Sequence, residues 1–273
     1  MTDTKQHITV IGLGAMGRAL AGAFLEAGHP TTVFNRSPDK ADELVGRGAR
    51  RAESVTEALE AGELTVVCVL SYGVARELLE PAADALAGRT IVHLSHGSPA
   101  DARELSDWVA DHGGAYVDGG IMSVPQTIGQ PGSFIVVAGA EEAVERTRSA
   151  IAVLGDPIDV GRDPGLAPLY DIALLSGLYG IAAGAQLAVS LIDSGGGDVE
   201  LFRGTLLLPW MEAMLPFTAG VVNTEGTMPD EFNATMQAAV LESMIASSRA
   251  AGVDEALTGH LHASLALMRA DAP

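Results

Sequence analysis

The sequence predicts an α/β domain built on a doubly wound, mostly parallel sheet, then a long interdomain helix, then an all-α domain. Three observations carry this. Short apolar runs alternate with helical patterns from His7 to Val160. A glycine-rich turn joins the first strand to the first helix. A nearly uncharged stretch from Gly165 to Ile192 follows, and beyond it the strand alternation stops. The expected division is residues 1–163 for the α/β domain, 164–194 for the helix, and 195–273 for the helical domain.

Taken in order, His7–Ile11 reads as a buried strand, followed at once by Gly12-Leu13-Gly14-Ala15-Met16-Gly17 and a helical run to Ala27. With a strand before it and a helix after it, this G-x-G-x-x-G has the context of a Rossmann pyrophosphate loop. Its glycines permit a tight turn and close approach of an anion to the helix N-terminus. Pro30–Phe34 is the second strand and ends in Asn35-Arg36-Ser37. NAD-specific folds place an acidic residue there to hold the ribose hydroxyls. Here Asn35 stands in its place, and Arg36 and Lys40 offer cations to a 2′-phosphate, which favours NADPH.

Leu64–Leu70 is a further strand, leading to Ser71-Tyr72-Gly73 and a helix to Leu86. Thr90–Leu94 is the next, and Ser98-Pro99 caps and opens the helix after it. Ligands in such sheets lie at the carboxyl ends of strands. The loops 71–73, 95–98 and 119–125, with Leu70, Ser71, Ser95 and Met122, are therefore expected walls of the cofactor and substrate cleft. The glycines of 119–133 suit either a backbone approaching a ligand or irregular turns. Phe134–Ala138 and Pro157–Val160 are strands around a helix at 140–154. After the long helix, 198–215, 229–250 and 254–267 read as helices. Trp210, Met214, Phe217 and Met236 cluster in this half, as core or as the lining of an apolar site.

The stretch 165–192 carries one charged residue, Asp171. Pro168 suits a first helical turn, and Gly195–Gly197 a stop. At 3.6 residues per turn Asp171, Leu175, Leu178 and Tyr179 share one side, and Gly177, Gly180, Gly184 and Ala188 the other. The run is long enough to span a bilayer, but Ser176, Gln186 and Ser190 interrupt it and no basic flank adjoins it. A buried helix inside protein is expected, with its carboxylate paired, neutral or functional.

The chain has 273 residues and a net charge of −19 with scattered acids, which argues against nucleic acid and anionic membrane as partners. Its single Cys68 reads as an inert buried thiol, and the setting expected is cytoplasmic. His93 and His96 form H-x-x-H at a strand end without the Cys or Glu that completes a metal set, so no metal is expected. They read as packing or cofactor-contact residues. No G-x-S-x-G elbow is present.

Together Gly12–Gly17, Asn35–Lys40, Gly119–Met122 and Leu169–Leu175 resemble NADPH-dependent imine reductases, relatives of the β-hydroxyacid dehydrogenases, over essentially the whole chain. The dehydrogenases open the corresponding helix with a lysine that acts on the alcohol; Asp171 stands there instead. The resemblance implies reduction of a C=N bond in a small imine or iminium substrate, of the (R)-selective type. It implies Asp171 as the catalytic residue, either donor or counter-charge, and Tyr179 beside the substrate. It further implies a domain-swapped homodimer with shared sites. The alternatives are a β-hydroxyacid dehydrogenase with an unusual acid, or a non-catalytic NADP-binding protein.

Overall fold

The computed structural model describes residues 5–221 and 234–270, the side chains of 216–221, 234 and 270 excepted. The chain divides into two compact units between Leu174 and Leu175. The first contains β1 (Ile8–Ile11), α1 (Ala15–Glu26), β2 (Thr31–Phe34), α2 (Asp42–Gly46), β3 (Arg50–Arg51), α3 (Val55–Glu60), β4 (Leu64–Val67), α4 (Tyr72–Leu79), β5 (Thr90–His93), α5 (Pro99–Asp111), β6 (Ala115–Met122), β7 (Phe134–Gly139), α6 (Glu141–Ile151), β8 (Asp156–Gly161) and the start of α7 (Leu166–Ser194). The sheet order is β3-β2-β1-β4-β5-β6-β7-β8. All neighbours are parallel except β6 and β7, paired antiparallel from Val117↔Gly139 to Met122↔Phe134.

Strands β1, β4 and β5 are buried along their whole length because helices cover both faces. One face packs Leu20 and Phe24 of α1 with Val144 and Ile151 of α6. The other packs Leu59, Leu79, Leu105 and Trp108 from α3, α4 and α5. Serines start three of these helices: the Ser54, Ser71 and Ser98 hydroxyls accept from Glu57, Val74 and Asp101 N–H groups. The strand order reverses beside β1, where β4 follows on the other side from β2, and the crevice of such a fold opens there.

Three local expectations need correction. β4 ends at Val67, so Cys68, Val69 and Leu70 form a loop at the sheet end instead of strand. The helix expected through Leu86 stops at Leu79; Pro81 has no N–H to continue it, and a 3₁₀ segment with non-helical Ala82 follows. Gly119–Met122 is strand, not loop: β6 runs on as the long partner of β7.

The second unit contains the rest of α7, α8 (Val199–Leu201), a π-helical turn Phe202–Leu207, α9 (Leu208–Val221), α10 (Ala234–Ala250) and α11 (Gly259–Ala270). The wide π turn precedes Pro209, whose ring and missing N–H disturb regular pairing. The helix start expected at 229–233 lies outside the described residues. Within a single chain α7 is not the buried spine anticipated. Leu178 is 58% and Tyr179 70% exposed. A Cβ on Gly177, Gly180 or Gly184 would meet nothing within 4 Å. Among the described residues, the second unit's core cluster centres on Leu187, Ile245, Leu261 and Leu265, which leaves much of the 29-residue apolar helix uncovered.

Candidate active site

A cleft of about 410 Å³ lies at the carboxyl ends of β1, β2 and β4, lined by Gly12–Gly17, Asn35, Arg36 and Cys68–Leu70. Gly12 has φ +96°, and a Cβ there would stand 2.1 Å from the Cys68 carbonyl oxygen; one on Gly17 would stand 1.9 Å from that of Gly12. These glycines are required by backbone packing. Gly14 differs, because a Cβ on it would meet no atom within 4 Å. It faces open cleft at the start of α1, which has no side-chain cap, so its first N–H groups remain for an anion.

The loop is held from behind. Gly12 N donates to Phe34 O at 2.9 Å. Leu13 N donates to Asn35 Oδ1, and Arg18 Nη1 to Leu13 O, both at 3.0 Å. Asn35 therefore positions the glycine loop, and its Nδ2 donates to Ser37 O. Arg36 lines the cleft and is exposed; Ser37 and Lys40 are exposed just beyond it. Neither Arg36 nor Lys40 has a carboxylate partner among the described residues. Ser71 spends its hydroxyl capping α4, and Ser95 Oγ accepts from Val69 N at 3.1 Å. Burial pushes the Cys68 thiol up to about 11, which suits an inert group.

That Ser95–Val69 bond ties the cleft wall to the loop after β5, and the next residue is His96. Its Nδ1 is 2.8 Å from Asp171 Oδ2. Asp171 arrives there by local design. Arg103 donates from Nε and Nη2 to both Asp163 oxygens, and Asp163 Oδ1 accepts from Gly165 N, which fixes the chain one residue before α7. The Arg103 hydrogen bond holds the Asp163 carboxyl below the usual range. Two turns on, Asp171 packs on β6, where a Cβ on Gly120 would come 3.0 Å from the Asp171 Cβ. The glycine pair of β6 thus admits a side chain of this protein. Asp171 is buried, while the His96 ring is largely open.

A second cluster lies beneath. Asp118 Oδ2 accepts from Tyr116 OH at 2.6 Å, and Tyr72 OH stands 3.0 Å from both Asp118 oxygens. Burial first, then the Asp118 charge, pushes both phenols well above their ordinary range. His93 Nδ1 is 3.7 Å from Asp118 Oδ2.

Of the other expected pocket residues, Met122 ends β6 in the first unit. Tyr179, Trp210, Met214 and Met236 belong to the second unit, with Tyr179, Trp210 and Met236 exposed. The Phe217 side chain lies outside the described residues. Sequence reasoning missed the partnership of His96 with Asp171. The signal was its place in a strand-to-helix loop on the same carboxyl edge as the glycine loop. It also missed Asp118, an acid two residues from Tyr116 on an otherwise apolar strand and hence on the same face.

Residues 7–161 match the family described as the NAD binding domain of 6-phosphogluconate dehydrogenase, and residues 163–271 the NADPH-dependent reductive aminase-like C-terminal domain. The chain is 38% identical to the NADPH-dependent reductive aminase of Aspergillus oryzae over 88% of its length and 84% of the relative's. It superposes with TM-score 0.88 and 37% identity on an Aspergillus terreus reductive aminase in complex with NADPH4, cyclohexanone and allyl amine, covering 98% of this chain and 94% of the other. A Streptomyces aurantiacus imine reductase gives TM-score 0.87 at 33% identity, covering 98% and 96%.

Proposed function

The chain belongs to the family of NADPH-dependent reductive aminases and imine reductases, and we propose that it reduces cyclic imines and iminium ions to (R)-amines with Asp171 at the substrate nitrogen. It is an NADPH-dependent oxidoreductase of C=N bonds. The observation that carries the assignment of Asp171 is its position: a buried carboxylate, bonded to a residue whose neighbour Ser95 braces the cleft wall.

The cleft suits NADPH. The open space before Gly14 and the uncapped start of α1 fit the pyrophosphate. Arg36 and Lys40, without a carboxylate partner among the described residues, fit the 2′-phosphate, and Asn35 stands at the strand end where an acid would repel one. Leu70 forms part of the same wall. Ser71 and Ser95 shape that wall through their own hydrogen bonds. When bound, the cofactor supplies the hydride that adds to the C=N carbon. Asp171 either holds a cationic C=N group by charge or gives its nitrogen a proton; a lysine at this position would oppose the cation.

The apolar remainder of the substrate site we assign to Met122, Tyr179, Trp210, Met214, Phe217 and Met236, completed across a homodimer with exchanged helical domains. Support comes from the exposed apolar face of α7 and its open stripe at Gly177, Gly180 and Gly184, which suit close approach of a second chain. Light scattering then gives about twice the chain mass of 28.1 kDa.

The functional assignment is tested by NADPH consumption against a panel of cyclic imines and ketone-plus-amine pairs, with NADP⁺ and β-hydroxy acids as the control. Turnover of imines without β-hydroxy acid oxidation is expected. Oxidation of β-hydroxy acids with no imine turnover overturns the assignment.

A further inference from the structure

His96 and Asp171 form an asymmetric pair. The Asp171 side chain is 12% exposed and that of His96 63%, with Nδ1 and Oδ2 2.8 Å apart. One imidazole therefore connects a covered carboxylate to bulk water. We propose that His96 carries protons between solvent and Asp171, and so sets whether the site meets its substrate as an acid or as an anion. This rests on the reading of Asp171 given above, and His96 acts through that residue.

The chemistry differs for two kinds of substrate. With neutral His96 the pair carries one net negative charge and holds a cation. With one more proton the pair is neutral and has a proton to give. Reduction of a neutral imine consumes that proton: as hydride adds to carbon, the C=N π electrons move to nitrogen, which takes the proton of Asp171. That leaves the pair with one net negative charge; His96 then takes a proton from water at its outer nitrogen and passes the Nδ1 proton to the carboxylate, which restores the neutral pair. A permanent iminium ion takes hydride at carbon and ends as a neutral tertiary amine with no proton consumed. Its charge is best held by the deprotonated pair.

Two substrates of one enzyme therefore respond to pH with opposite sign. As the pair loses its proton with rising pH, neutral-imine reduction falls and iminium reduction rises. The neighbouring groups are otherwise committed. From α5, Asp101 Oδ2 accepts from Ser98 N at 3.0 Å and Ser98 Oγ at 2.6 Å, and these bonds hold its carboxyl below the usual range. From α4, Tyr72 gives its hydroxyl to Asp118, and burial holds its proton above the ordinary phenol range. His93 and Asp118 are sealed beneath it. β6 presents Gly120, and ahead of α7 Arg103 and Asp163 are closed on each other.

The experiment compares kcat/KM across pH for a weakly basic cyclic imine that stays neutral throughout and for an N-alkylated cyclic iminium salt. Wild-type enzyme is expected to show opposed limbs. His96→Asn keeps a donor toward Asp171 but has no titrating proton; both limbs should vanish, with the neutral imine losing at least about tenfold more than the iminium ion. Parallel limbs in the wild type, or limbs that persist in His96→Asn, overturn the proposal. A second readout uses cofactor-free protein. Ring ¹⁵N shifts of His96 at alkaline pH should place its proton on Nδ1, reverting to the Nε2–H form common in water when Asp171 becomes Asn. An Nε2–H ring in the wild type overturns the proposal. Failure of the wild type to reduce either substrate refutes the functional assignment instead, and the tautomer still decides the pairing.

Discussion

His93 and His96 lie three residues apart, and each faces an aspartate, yet the two pairs are opposites. His93 is fully buried, 3.7 Å from Asp118, and neither ring nitrogen has a hydrogen-bond partner among the described residues. Asp118 is satisfied by the hydroxyls of Tyr72 and Tyr116, whose protons the site retains. His96 is open and bonds directly to Asp171. A carboxylate saturated by hydroxyls in a closed space holds a fold in place. A carboxylate bound by one titratable ring with an outlet to water can exchange a proton. Residue types alone do not separate the two; burial and partner do.

The largest effect that sharpens this contrast comes from Asp171→Ala. Imine reduction should slow by about ten- to ten-thousandfold, the range of general acid–base loss, with NADPH binding intact by fluorescence titration. Loss of cofactor binding in this variant would make Asp171 a structural residue like Asp118. Arg36→Ala lies outside both pairs and serves as the control. Removing a charge-assisted contact of roughly 1.5–3 kcal/mol should weaken NADPH by about ten- to a hundredfold while NADH changes little. Michaelis constants for both cofactors decide it, and an equal loss for both removes Arg36 from the specificity argument.

The smallest effect concerns the buried pair. Tyr72 and Tyr116 keep their protons in the folded protein above about pH 10, where an unfolded chain releases them. The folded form then binds more protons, so stability is intact below about pH 10 and falls as pH rises above it. Tyr116→Phe should make that alkaline fall shallower by up to about 1.4 kcal/mol per pH unit in urea unfolding. An unchanged slope would mean Tyr116 ionises freely, and the cluster is not sealed.

The architecture of the first unit was legible because its strands are continuous apolar runs and its turns carry glycine and serine in diagnostic places. The glycine turn after β1 was legible for the same reason, and Asp171 stood out because one charge in so apolar a stretch is costly unless it is paired; its partner His96 is what the structure adds. The exposure of α7 was not legible: apolar composition alone does not say how much of a helix its own chain covers. Nor was the fate of Gly119 and Gly120. They could have served a ligand or a turn, and the choice depended on Asp171 arriving from a helix fifty residues on. His96 was hidden because a histidine pair on one strand end reads the same whether its members point into the core or toward solvent.

The contrast between the pairs is tested most directly by Asp171→Asn and Asp118→Asn measured side by side, each for turnover of one neutral cyclic imine per folded molecule and for its urea unfolding midpoint. Asp171→Asn should lose at least about tenfold in turnover with a midpoint near that of the wild type. Asp118→Asn should lose about 1–3 kcal/mol of stability as the buried tyrosines lose their carboxylate, while turnover per folded molecule stays at the wild-type level. Wild-type turnover in Asp171→Asn, or a turnover loss in folded Asp118→Asn as large as that of Asp171→Asn, would contradict the division of labour between the two pairs.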